Sequence, residues 1–190
     1  MWTVDANKAV ERILYQADIT LFNNSAWGKI YSRDIIGDER FTPGIYFEDI
    51  EYFHRVFLKS GTIGVTDAVV YFYRQTPTSI IHTFSPKRMD VLKITDNLTR
   101  KFQYDASLLA AARDRQLSAN FNIFLLLADQ PECGSYKEVM HECWNVIKGL
   151  RRYSLFNRKV RLKNKIGIIL SYGGKELMCM ADRCIRRVRI

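Results

Sequence analysis

The stretch from Leu108 to Asp129 is the most apolar in the chain; it holds Phe121-Asn122-Ile123-Phe124-Leu125-Leu126-Leu127-Ala128 and is closed by Pro131. A helix that is apolar on all sides is stable only when other elements cover it, so this stretch predicts a central buried helix with the body wrapped around it. At 190 residues the chain can supply that wrapping from one ordinary core and is short for two. Nowhere do about 18 apolar residues follow one another, so no membrane-spanning helix is expected.

The segments available for wrapping differ in character along the chain. Asp5 ahead of Lys8 to Tyr15 reads as a capped amphipathic helix with Val10, Ile13 and Leu14 at core spacing. From Asn23 to Gly44 turn residues dominate, and regular structure should be short. Glu48 to Lys59 resumes a helical period, with Ile50, Phe53, Val56 and Phe57 on one side and Gly61 as its stop. Thr62 to Val65 and Val69 to Arg74 are rich in β-branched and aromatic residues and read as two strands. Ser85-Pro86 then starts a helix carrying Met89, Leu92, Ile94 and Leu98, and Ser135-x-x-Glu138 forms a capping box for another, with Gly149 as its expected stop.

Charge is segregated. Residues 1–150 carry 17 Lys and Arg against 18 Asp and Glu, whereas residues 151–190 carry 12 against 2, so the formal net charge of +9 resides in the tail. From Ile166 the positions Ile166, Ile169, Leu170, Gly173, Gly174, Leu177, Met178, Ala181, Cys184, Ile185 and Val188 advance by three or four as a helical stripe among Lys163, Lys165, Lys175, Arg183, Arg186, Arg187 and Arg189. The Gly173-Gly174 pair should divide it into two helices. Such helices suit an anionic membrane surface, through residues 158–190, and equally suit packing on the body or on another subunit with the charges solvated. Aromatic residues do not interleave with the tail arginines as a stacking platform requires, so nucleic acid is not an expected partner.

Cys133, Cys143, Cys179 and Cys184 form no C-x-x-C pair, which argues against zinc, and they are too sparse for a disulfide scaffold. No secretory pattern follows Met1. A cytoplasmic location, peripheral at the inner membrane, is the expectation. His54 and His82, set in apolar surroundings, read as structural histidines.

Several short motifs fall in order between Trp27 and Ile80: Trp27-Gly28-Lys29-Ile30-Tyr31, Arg33-Asp34, Arg40-Phe41-x-x-Gly44, Phe47-Glu48-Asp49-Ile50-Glu51-Tyr52-Phe53, Tyr71-Phe72-Tyr73-Arg74-Gln75 and Thr78-Ser79-Ile80. Together they resemble the acceptor-side half of bacterial family 2 glycosyltransferases, the inverting GT-A enzymes of capsular, exopolysaccharide and lipopolysaccharide synthesis. The basic amphipathic tail also resembles their C-terminal region.

The resemblance implies an α+β, helix-rich fold: the C-terminal part of a GT-A-like α/β fold over residues 1–84, a helical region over 85–150 and a basic amphipathic tail over 151–190. It implies transfer of a sugar, with inversion, from a nucleotide-sugar to a glycan or lipid-linked acceptor. Such a reaction needs a carboxylate to take the acceptor proton, which by resemblance is Asp49, with Glu48 orienting the acceptor. The same Glu-Asp pair is also a favourable first turn of a helix. Trp27 fits a wall for a sugar ring or a core anchor beside Gly28, and Lys29 a contact to a phosphate or hydroxyl. Arg74 fits a contact to the donor diphosphate or a solvated strand end.

The relatives neutralise that diphosphate with a divalent metal, Mg or Mn, held at Asp-x-Asp in an N-terminal β/α half. This chain contains no Asp-x-Asp, and Asp49-x-Glu51 is a poor substitute because helical residues two apart diverge by about 200°. The expectation is therefore no cofactor in this chain, a metal in the complete enzyme, and little activity from these residues alone. The rival expectation is a non-catalytic helical interaction module that docks on a membrane or an acidic partner.

Overall fold

The computed structural model describes residues 1–74 and 84–188. A short strand, β1 (Trp2–Asp5), leads directly into helix α1 (Ala6–Tyr15), whose N-terminus is capped by Asp5 accepting from the Lys8 N–H at 3.2 Å. The turn-rich stretch that follows holds only a single-turn helix, α2 (Arg33–Ile36). Helix α3 (Glu48–Ser60) ends at Gly61, whose φ of +68° a residue with a Cβ adopts only with strain, and the chain turns into strand β2 (Thr62–Val65). Strands β1 and β2 pair antiparallel, Trp2 opposite Val65 and Asp5 opposite Thr62.

The second half is helical. Ser85 caps a 3-10 turn (Pro86–Met89) that continues as α4 (Asp90–Lys101). Asp105 caps α5 (Ala106–Ala128) by accepting from the Ser107 and Leu108 N–H groups. Then come α6 (Lys137–Leu155), α7 (Leu162–Tyr172) and α8 (Lys175–Val188). The architecture is α+β and rich in helix, with one small two-stranded sheet among the described residues.

Helix α5 occupies the place its composition predicts. It touches α1, α4, α6, α7 and α8, and its buried residues Leu108, Ala112, Leu117, Phe121, Phe124 and Leu127 point to different sides of the helix. Burying each of its large side chains contributes roughly 1.5–3 kcal/mol. The core draws on the whole length of the chain, from Ala9 of α1 to Met178 of α8. Polar links do the same: Asn157 donates to the Tyr15 hydroxyl at 2.8 Å, and Lys159 pairs with Glu11 at 2.6 Å.

Some expectations need correction. Val69 to Arg74 forms no strand: the segment is irregular and exposed, and β2 pairs instead with β1, a strand too short to announce itself in sequence. Gly149 does not stop α6, which runs to Leu155 because Ile147, Leu150 and Ser154 keep packing on the body; this outweighs the roughly 1 kcal/mol cost of an interior glycine. The Ser135 capping box does not form, since Cys133–Tyr136 is a 3-10 turn and Tyr136, without a side-chain cap, precedes α6.

The break between α7 and α8 lies at Gly173-Gly174, as expected, with Gly174 at φ +100°. Arg151 holds the end of α7 from α6: its guanidinium lies 3.8 Å from the Tyr172 ring centre and donates to the Ser171 carbonyl at 2.9 Å. The stripe divides. Met178 is buried and Leu170 half-buried against the core, whereas Ile166, Ile169, Leu177 and Ile185 are exposed. The side chains of Arg186, Arg187, Val188 and Arg189 lie outside the described residues, as do Gln75 to Thr83 with Thr78-Ser79-Ile80 and His82.

Candidate functional site

Helix α3 begins with Glu48, Asp49 and Glu51 in its first turn, where the unpaired N–H groups favour negative charge. Phe47, the residue before it, sits at φ +63°, an uncommon conformation for a side chain of its size. Helix α4 fixes this entry, because Asp90 accepts from the Tyr46 N–H at 2.9 Å. The first turn is thus held in place from outside its own helix.

Asp49 lies half-buried in that turn. Its Oδ1 accepts from the Ile50 N–H at 2.8 Å and its Oδ2 from the Asn24 amide at 2.7 Å. Burial raises the pKa of the carboxyl above its ordinary value of 3.8, although both hydrogen bonds pull it down. Lys29 lies nearby, donating to Asn23 Oδ1 and to the Ser25 carbonyl, each at 2.6 Å. Desolvation lowers its pKa to about 8, against the field of Asp49. One loop therefore supplies Asn24 to the carboxylate and Asn23 to the ammonium.

The structure thus brings Asp49 and Lys29 into one cluster. Glu48 projects into solvent at the helix start, and Arg74 is exposed. Trp27 is stacked on Tyr71 at 4.6 Å and on Tyr73 at 5.1 Å between ring centres, with 38% of its surface exposed. Its indole has aromatic partners within the chain and remains partly exposed.

Residues that sequence reasoning passed over complete the cluster. Asn23 and Asn24 read as turn formers, and nothing in their spacing announced ligands for Lys29 and Asp49. Arg115 lies on α5, within electrostatic reach of Asp49, Asp114 and Arg161, and burial lowers its pKa to about 10. Asp114, 1% exposed, accepts from the Asn164 amide at 3.0 and 3.1 Å through its two oxygens, and burial raises its pKa to about 6. Its sequence signal was visible: an Asp114-Arg115 pair inside the most apolar stretch of the chain.

Asp49 and Glu51 do not fit a divalent cation. Asp49 turns to Asn24, while Glu51 bonds Thr42 at 3.1 Å and pairs with Arg55, which also bonds Glu39. Among the described residues no three His, Cys, Asp or Glu side chains cluster as a metal site would require. His54 is buried with its ring edge-on to Phe53 and Phe102, and burial, helped by Lys101 and Arg55, lowers its pKa to about 3. It is part of the core of the described structure. The cysteines are free, and no helix among the described residues is long and apolar enough to cross a membrane.

No family model, curated protein or solved structure matches the chain.

Proposed function

We propose that the chain is the acceptor-side part of an inverting glycosyltransferase resembling family 2, with Asp49 as general base. The observation that supports this most is the setting of Asp49: a half-buried carboxylate with a raised pKa, oriented by Asn24 and Ile50, at a helix start beside Lys29. Each oxygen keeps a lone pair for an acceptor hydroxyl, and a raised pKa strengthens proton removal as the hydroxyl attacks the anomeric carbon. Lys29, with one N–H beyond its two bonds, meets a phosphate or hydroxyl, Glu48 orients the acceptor from the surface, and Arg74 faces the leaving diphosphate. Trp27 offers its exposed surface to a sugar. The sequence contains no Asp-x-Asp to hold a donor metal, and these residues alone transfer little.

Deleting the gene in its native host and restoring it as wild type or Asp49→Asn tests the assignment. Asparagine at 49 keeps the size and the partner of Asn24 but cannot take a proton. Restoration of surface glycan by wild type but not by an equally abundant Asp49→Asn protein is the expected outcome. Full restoration by the variant removes Asp49 as base.

A second reading, docking on an anionic membrane through residues 158–190, has its own support. On α7, Leu162, Ile166 and Ile169 follow at helical spacing and are exposed, opposite the packed residues Asn164, Ile168 and Ser171. Arg158, Lys159, Lys163 and Lys165 flank this outer stripe. An apolar ridge edged with cations matches an interface of acyl chains beneath anionic headgroups.

A further inference from the structure

The cluster around helix α5 has more strong donors than acceptors. Asp49 and Asp114 are the carboxylates within electrostatic reach of Arg115, and both are already engaged by amides: Asp49 by Asn24 and Ile50, Asp114 by Asn164. Among the described residues nothing accepts a hydrogen bond from the Arg115 guanidinium, and no carboxylate lies at ion-pair distance from it. Arg161, from the turn before α7, is close enough to repel Arg115. It donates to Ser118 at 3.2 Å, yet its Nε is buried without an acceptor. A guanidinium stays charged at neutral pH, and a buried N–H left without an acceptor, as at the Arg161 Nε, is expensive. Arg115 is only half-buried, so a ligand can reach it.

We propose that Arg115 and Arg161 form a binding site for an oxyanion, of phosphate or carboxylate chemistry, carried by a ligand of this protein. Such a group accepts from both guanidinium forks, removes their mutual repulsion and supplies the acceptors that Asp49 and Asp114 withhold. Asp114, held by Asn164, adds a favourable field at both arginines without pairing with either. The site borders Asp49 but does not depend on glycosyl transfer: it would bind its anion whether or not Asp49 acts as a base.

Inorganic phosphate serves as the probe, titrated into the full chain at pH 7 with sodium chloride adjusted to hold ionic strength constant. The side-chain Nε–H signals of Arg115 and Arg161 are followed by NMR, with acetate in a parallel arm. Saturable movement of both signals is expected, with affinity reduced at least tenfold in Arg115→Gln and by a smaller factor in Arg115→Lys, which keeps the charge but loses the fork. Arg161→Gln gives an independent second variant should the first not fold. Saturation by phosphate alone assigns a phosphate group, and saturation by acetate with equal affinity assigns a carboxylate. Linear, unsaturated shifts in the wild type, or unchanged affinity in the folded variants, overturn the proposal.

Discussion

The Asn24 amide donates to Asp49 Oδ2 at 2.7 Å, joining a turn-rich loop to the first turn of helix α3 across 25 positions of sequence. This bond fixes the carboxylate while leaving it half-buried. Replacing Asn24 with alanine removes it at a site where the acceptor stays partly desolvated. The expected loss is about 1–2 kcal/mol in urea unfolding, with no change in far-ultraviolet circular dichroism.

His54 makes the fold sensitive to acid. Its pKa is lowered to about 3 in the folded state, so between its ordinary value of 6.5 and about 3 the unfolded chain binds a proton that the folded chain refuses. Stability is therefore lost as pH falls through that window, by roughly 5 kcal/mol at most. In His54→Leu, unfolding free energies measured at intervals from pH 7 to pH 3.5 should show a flatter decline.

Asp114 acts with the opposite sign. Its pKa, raised to about 6 from 3.8, means the folded state holds a proton that the unfolded state releases, so its contribution falls as pH rises from about 4 to 6 and is level above. The penalty is on the order of 2–3 kcal/mol. Asp114→Asn, compared with wild type by the same measurements, should abolish this slope.

The exposed ridge of α7 predicts binding to vesicles containing phosphatidylglycerol, weakened by salt and absent with neutral phosphatidylcholine. Ile166→Glu with Ile169→Glu should abolish co-sedimentation without loss of stability, since neither residue is buried. Equal binding by the double variant would exclude the ridge as the contact.

Truncating the centre of the bundle has a large effect. Leu127, fully buried on α5, should cost about 2–5 kcal/mol on replacement by alanine, read as a lowered urea midpoint.

Elements whose signals are local were legible in the sequence. Helix α3 runs from its acidic first turn to Gly61, and α5 is where an all-round apolar helix must be. The β1–β2 pairing was not, because a four-residue strand carries little pattern and its partner lies some 60 residues away. Val69 to Arg74 shows the converse: high β-propensity makes a strand only where a neighbour offers a ladder. At the site, Asp49 and Lys29 were recognisable by type and motif, whereas Asn24 acquires meaning only through its contact across the fold.

The proposed role of Asp49 as a base requires a carboxylate whose burial raises its proton affinity. A carbon-13 NMR titration of its side-chain carboxyl, assigned with Asp49→Asn, measures this directly. A pKa above 3.8 is the expected result. A value at or below 3.8 would make Asp49 an ordinary helix-terminal anion and contradict its role as a base.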